Sequence, residues 1–447
     1  MTEQSAMSSM SGMSEVSGMS GISGTDATGA GGDEERSEEH GSDSKNGGSD
    51  DNDYPVSYGG GGSSSPPSIP AEPASPPSTT TTTTTTTTTI IPNYFLMCTV
   101  GLRFFDTKEY KTVGCTYFVF DSVIPTDIGL MGSEDQRAWK VFKSLSWAPN
   151  PLFGISFPGK YAADLTTALS NTALDDLKQL FVKGYRAFGV LNCKGDASFL
   201  HGTAGKNIGD LFDKIFNSMT QVQRDAGPVI FFVGLQLSAG STSQSAALMQ
   251  DAKAISHLKM LILQSHIAPQ PPLTASECFI YPSSSWTQTP IKDNIYSSVQ
   301  RASSMLSDAP NSGMSFAISF SMALSIYVLS SEASSNTKMK DSCSASGVSS
   351  PDEYCSVNVA NVSTQTDNAE HIVWTYIRHT RYVYSYTPDA NVIELYNAAK
   401  ASVQSSKRFG ILVADAQLDY TRSCSCGKLC RLQAIATFLD NLRKAGL

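Results

Sequence analysis

From about residue 93 onward, the chain alternates between two patterns of apolar and polar positions. Short, almost continuously apolar runs recur: YFLMCTV (94–100), CTYFVF (115–120), LFGISF (152–157), RAFGVL (186–191), VIFFVGL (229–235), ECFIYP (277–282), SFAISF (315–320) and FGILVA (409–414). Unbroken apolar runs, as opposed to a strict in-out alternation, indicate parallel strands covered on both faces. Between them lie stretches with helical spacing. In 207–221, Ile208, Leu211, Phe212, Ile215, Phe216 and Met219 recur at three and four and fall on one face. Stretches 175–184, 246–264, 294–306 and 432–442 behave similarly. Eight strand runs, most followed by helical sequence, predict an α/β fold of the (β/α)8 TIM-barrel type spanning residues 93–447. A doubly wound open sheet is the alternative, but no Gly-rich phosphate loop follows any strand. The extra run RYVYSY (381–386) predicts a small insertion before strand eight that also holds Cys343 and Cys355.

Residues 1–92 carry neither pattern. They are dominated by Ser, Gly, Thr, Pro and acidic residues, including the unbroken run Thr79–Thr89 behind SSSPPSIPAEPASPPS. Such a segment cannot bury enough apolar surface to offset its ordering entropy, so a disordered, low-complexity region is expected. Pro with dense Ser and Thr is the composition of O-glycosylated stalks, and equally of an unmodified flexible linker. The net charge of −9 over 447 residues lies partly in this region, around residues 33–39 and 50–53. No basic run or stripe offers a nucleic-acid footprint.

All nine cysteines fall in the predicted barrel. Several sit in loop-like sequence (Cys343, Cys355, Cys424, Cys426, Cys430), which suits disulfides and an oxidising, extracellular compartment. A zinc site built from Cys424, Cys426 and Cys430 is the alternative, but the C-x-x-C pairs usual for structural zinc are missing. No metal and no cofactor is therefore assigned. The odd count leaves a thiol over, and Cys193 or Cys278, each in a predicted strand, is expected to be that thiol. The opening MTEQSAMSSMSGMSE lacks the apolar stretch of a signal peptide, and no run of 18 or more apolar residues suggests a transmembrane helix. The cysteine placement and these features point in opposite directions on export.

Four segments, in order, resemble family-18 glycoside hydrolases, the chitinases and chitinase-like proteins. LMCTVG…CTYFVFDSV is similar to the family's cysteine-bracketed first two strands. GISFPGK resembles its S-x-G-G strand, with Ser156 and Gly159 kept and Pro158 in place of a glycine. RYVYSYTPDANVIELYNAAKASVQSSKRFGILVADAQLDY resembles its closing segment. The combination of LMCTVG, the threonine run and ISFSMAL most resembles the chitinase-like proteins of ticks and other arachnids. This resemblance implies a disulfide between Cys98 and Cys115, an extracellular protein, and a chitin-like carbohydrate or a protein as ligand.

It also locates a loss. Where the family carries D-x-x-D-x-D-x-E on strand four, this chain has Arg186, Gly189 and Leu191 at the aspartate positions and Cys193 at the glutamate position. A chitinase needs a carboxylic acid of raised pKa to protonate the leaving oxygen, and an aspartate to orient the substrate's acetamido group. A thiol is too weak an acid for the first task, and Leu191 cannot do the second. Ala414 stands where the family has a stacking Trp on strand eight. No catalytic residue is assigned, and the chain is read as a pseudoenzyme.

Cys193 could be imagined as a nucleophile at the mouth of a barrel, but a buried Cys more often acts as a small hydrophobe. Asp415 and Asp419, after strand eight, are candidates for binding or for displaced catalysis, or else cap the strand-eight loop. Trp286 is a candidate stacking surface for a ligand. Asn361-Val362-Ser363 fits an N-glycosylation acceptor in a secreted chain. Three functions follow: a non-catalytic chitinase-like binding protein, a hydrolase with a relocated carboxylate, or a structural scaffold displayed on a glycosylated stalk.

Overall fold

The computed structural model describes residues 91–447 except 107, 146–150, 163, 196–197, 221–228, 238–244, 267–277, 288–297, 308–312, 356–360, 404–407, 423, 426 and 447. The disordered region expected at residues 1–92 thus lies, up to residue 90, outside the described residues.

Eight parallel strands close into a barrel: β1 (Leu96–Val100), β2 (Tyr117–Phe120), β5 (Leu152–Pro158), β6 (Ala187–Gly195), β7 (Ile230–Leu237), β8 (Leu258–Leu263), β9 (Ser315–Ser321) and β15 (Arg408–Ala414). β15 pairs with β1 and completes the ring. Helices α1 (Gln136–Ser144), α2 (Asn171–Val182), α3 (Thr203–Thr220), α4 (Ser245–Ala254), α5 (Val299–Ser307), α6 (Asp389–Ser402) and α7 (Cys430–Lys444) intervene between the strands or follow the last. The expected (β/α)8 barrel is formed.

The unbroken apolar runs serve two cores at once. Alternate residues of each strand point inward, so Phe95, Met97, Tyr117, Val119, Leu191, Phe232, Met260, Ile262, Leu412 and Ala414 fill the barrel interior. Their neighbours, among them Phe118, Phe120, Ile155, Phe188, Val233 and Ile318, pack outward against the helices. The outer core is rich in rings near α1: Phe118, Phe142 and Phe153 lie with centroids 5.7–6.2 Å apart. Asp135 caps α1 by accepting from the backbone N–H of Ala138 at 2.9 Å, which satisfies a donor the helix cannot pair internally.

One barrel strand differs from the sequence expectation. Strand six is LKMLIL, Leu258–Leu263, which the helical reading of 246–264 had absorbed; that helix ends at Ala254. The run at 277–282 is not a barrel strand. Its described part holds a single antiparallel bridge, Phe279 to Ser342, and Cys278 is disulfide-bonded to Cys343. Ile280 is buried with Tyr327, Leu329, Tyr376 and Val383, which form a separate cluster outside the barrel. An apolar run records that it is buried, not which core buries it.

The insertion before strand eight is a five-stranded antiparallel sheet in the order β11-β10-β14-β13-β12. It comprises β10 (Leu324–Val328), β11 (Ala345–Ser349), β12 (Val362–Asp367), β13 (Ile372–Ile377) and β14 (Tyr382–Tyr386), so RYVYSY belongs to it as expected. A hairpin of β3 (Val123–Thr126) and β4 (Gly129–Gly132) follows β2.

The expected Cys98–Cys115 disulfide is present, with Cα atoms 6.0 Å apart. Cys355 joins Cys424, and Cys430 is also disulfide-bonded, which rules out the zinc alternative. Of the two thiols named as free, Cys193 is free and buried, while Cys278 is bonded. No described helix is long and apolar enough to cross a membrane.

Candidate functional site: the mouth of the barrel

The C-terminal ends of parallel barrel strands gather side chains from distant parts of the sequence at one mouth. Asp121 follows β2 directly. One carboxylate oxygen accepts from the Ser156 hydroxyl on β5, and the other accepts from Asn192 Nδ2 at 3.0 Å. Asn192 has a left-handed backbone, φ 60°, within an irregularity in the β6–β7 register between Val190 and Cys193. This extra residue has the character of a β-bulge, which re-aims side chains. Gln264, just past β8, holds Asn192 from the other side. Its Oε1 accepts from the Asn192 backbone N–H at 2.8 Å, and its Nε2 donates to Asn192 Oδ1 at 2.9 Å.

On the opposite wall, Ser319 and Ser321 of β9 are fully buried. The Ser319 hydroxyl receives the Ser265 backbone N–H at 2.8 Å and lies 2.7 Å from His266 Nδ1. Burial lowers the His266 pKa to about 4, so the ring is neutral at physiological pH. The Ser321 hydroxyl donates to Asp415 Oδ2 at 3.2 Å. Asp415 follows β15 and is left-handed, φ 56°. Its carboxyl is raised to about 6, first by burial and next by the negative charge of Asp121, with a smaller contribution from Glu134. Burial also raises Asp121, against hydrogen bonds from Ser156 and Asn192 that favour its ionised form. Glu134, exposed after β4, is raised by partial desolvation and then by Asp121, while Lys160 opposes the shift.

No family model and no curated protein matches the sequence. Solved structures do. A Group IV chitinase of Ostrinia furnacalis is 12% identical with a TM-score of 0.55, over 78% of this chain and 100% of that one. The immunomodulatory active chitinase of Trichuris suis is 15% identical with a TM-score of 0.56, over 77% of this chain and 100% of that one. Human YKL-39, described as a pseudo-chitinase with retained chitooligosaccharide binding properties, is 13% identical with a TM-score of 0.55, over 78% and 100%. The fold is that of the chitinases. At these identities the likeness concerns the fold alone.

Within this fold, the four strand-four positions singled out in the sequence scatter. Arg186 precedes β6 at the far end of the barrel from the mouth; it donates to the carbonyls of Phe181 and Tyr185 at 2.6 and 2.8 Å and stacks on the Phe181 ring at 4.3 Å. Gly189 faces inward where a Cβ would lie 2.3 Å from the Phe232 ring. Leu191 is an inner-core residue against Gly234. Cys193 does not reach the mouth. It belongs to the outer core, packed so closely on Gly159 that a Cβ there would meet its Cα and backbone N at 2.5 Å. Burial pushes its thiol pKa up to about 12. Strand four therefore presents Asn192, not Cys193, to the mouth. A strict two-residue alternation hid this, because the extra residue inverts the faces that follow it.

The remaining candidates separate cleanly. Ala414 does face the interior. Trp286 is half-buried against the outer core and so is not placed as an inner stacking surface. Asp419 is fully buried and paired with Arg431 at 2.6 Å, and it accepts from the Leu432 backbone N–H at 2.9 Å. It anchors the first turn of α7 to the strand-eight loop, and Arg431 continues to the Met322 carbonyl at 2.5 Å. Asn361 is exposed just before β12. Asp121 and Gln264 were not among the sequence candidates. One hint existed: an acid directly after the apolar run CTYFVF, at the end where barrel sites form.

Proposed function

We propose that the barrel is a non-catalytic, chitinase-like module that binds carbohydrate at its mouth. The observation that carries this reading is Asn192. At the mouth, strand four presents an amide, bonded on both sides to Asp121 and Gln264. An amide has no proton to give a leaving glycosidic oxygen, and Leu191 and Phe232 occupy the interior beneath it. What remains is a set of hydroxyl, amide and carboxylate groups, the chemistry that pairs with sugar hydroxyls. YKL-39, of similar fold and described as a pseudo-chitinase with retained chitooligosaccharide binding properties, supports the reading.

The test is calorimetric titration with a series of oligosaccharides, run beside a reducing-sugar assay on chito-oligosaccharides. Binding without turnover is the expected result. Absence of binding would favour the scaffold reading.

A second reading has an observation of its own. Asp415, raised to about 6 beside Asp121, resembles an acid poised for proton donation. Turnover by the natural chain that Asp415→Asn abolishes would establish a relocated hydrolase and overturn the non-catalytic one.

Disulfides at Cys98–Cys115, Cys278–Cys343 and Cys355–Cys424 support an extracellular location, and the exposed Asn361 is then open to glycosylation. Residues 1–92 act as a spacer in this proposal, and the tick-type chitinase-like proteins are the proposed subgroup.

A further inference from the structure

We propose that the mouth selects amino sugars bearing a free, protonated amine over their N-acetylated forms, with Asp415 and Asp121 as counter-anions. The inference rests on the carbohydrate-binding reading and names its ligand class.

The first observation is a charge without a partner. Asp121 and Asp415 sit at the ends of β2 and β15, on either side of β1, and the negative charge of Asp121 acts on Asp415. Among the described residues, neither carboxylate forms a salt bridge. Their partners are the neutral groups Ser122, Ser156, Asn192, Ser321 and Gln417. The other acid in the group, Glu134, adds negative charge, and Lys160 acts on Glu134. His266 is neutral. Desolvated carboxylates without a cation are costly, so a cationic ligand would relieve a strain that the protein's own side chains leave in place.

The second observation is independent of charge. Gln417 is 3% exposed, its Nε2 donates to the Leu102 carbonyl at 3.1 Å, and its side chain hydrogen-bonds Asp415. Its Oε1 is buried and accepts from nothing. A buried acceptor is normally paired. The Asp415 carboxylate and the neighbouring Gln417 amide oxygen thus leave acceptors in excess of donors at the end of β15, which is the complement of an ammonium group with its three N–H donors. An acetamido group offers one donor, no charge and an added methyl. The inward Leu191 offers an acetamide no hydrogen-bonding group.

The test is titration of the full chain, at pH 6.5 and fixed salt, with pentamers of glucosamine, N-acetylglucosamine and glucose. The glucosamine pentamer is expected to bind at least tenfold more tightly than the other two. Asp415→Asn should weaken it by about 10- to 100-fold, the range for a hydrogen bond to a charged group. Asp213→Asn, a remote acid on α3, controls for the general attraction of an acidic protein, and circular dichroism confirms that each variant is folded. If Asp415→Asn does not fold, Asp121→Asn and the wild-type ligand series carry the test. Equal or tighter binding of the N-acetylated pentamer would overturn this inference and leave the carbohydrate reading standing. Equal weakening by Asp213→Asn would also overturn it. Binding of none of the three would overturn both.

Discussion

Asn192 and Asp121 meet across the barrel mouth with Nδ2 and Oδ2 3.0 Å apart, a contact between the ends of β6 and β2. The polar groups at the mouth come from the ends of β2, β5, β6, β8, β9 and β15, brought together by the closed ring.

Hydrolysis of chitin or chito-oligosaccharides should be undetectable. Loss of a general acid alone costs about two to four powers of ten in rate, and the residue that orients the acetamido group is absent with it. Cys193→Glu should not restore activity, because position 193 faces the outer core against Gly159. It should instead yield misfolded or insoluble protein. A folded, active Cys193→Glu enzyme would show that strand four is turned the other way.

Cys193 should resist alkylation in the native state and react quickly on unfolding, since it is buried and its thiol is held at about 12. Fast native labelling at pH 8 would contradict its placement.

Gly189→Asp should be severely destabilising. The new Cβ would stand 2.3 Å from Phe232, adding overpacking of about 1–3 kcal/mol to the cost of a buried charge. Denaturant midpoints of Gly189→Asp and Gly189→Ala separate the two contributions. A wild-type midpoint for either variant would mean that Phe232 moves aside freely.

Asp415→Asn should stabilise the protein at neutral pH and not at pH 4. The folded state holds the Asp415 proton up to about pH 6, whereas the unfolded chain releases it near 3.8. The folded state therefore binds more protons across that interval, and stability from this group falls as pH rises through it and stays low above. The full effect is at most about 3 kcal/mol, and Asn tolerates the left-handed backbone at this position. Melting curves at pH 4, 5.5 and 7.5 test it; the same gain at every pH would sink the assignment.

Replacing Cys98 and Cys115 together with serine should cost about 3 kcal/mol, the chain-entropy value for a loop of this size. A denaturation midpoint unchanged from wild type would show that the closure of β1 onto β2 is held by packing alone.

Much of this molecule was legible from its sequence because barrel formation depends on local pattern. Continuous apolar runs such as SFAISF require cover on both faces, helical spacing such as Ile208-Leu211-Phe212-Ile215 supplies it, and their alternation leads to a closed parallel ring. The absence of carboxylates at 186, 189, 191 and 193 is likewise a fact of sequence. Tertiary structure decided what pattern cannot encode. It placed LKMLIL, not ECFIYP, in the ring, because competing cores bury equally apolar runs. It put an extra residue near Asn192, which sent Cys193 outward against an alternation that local sequence does not mark. It assigned Asp419 to an ion pair with Arg431 and left Asp415 in the mouth beside Asp121, about three hundred residues away in the chain, since strand order around a closed barrel, not separation in sequence, determines which side chains share a site.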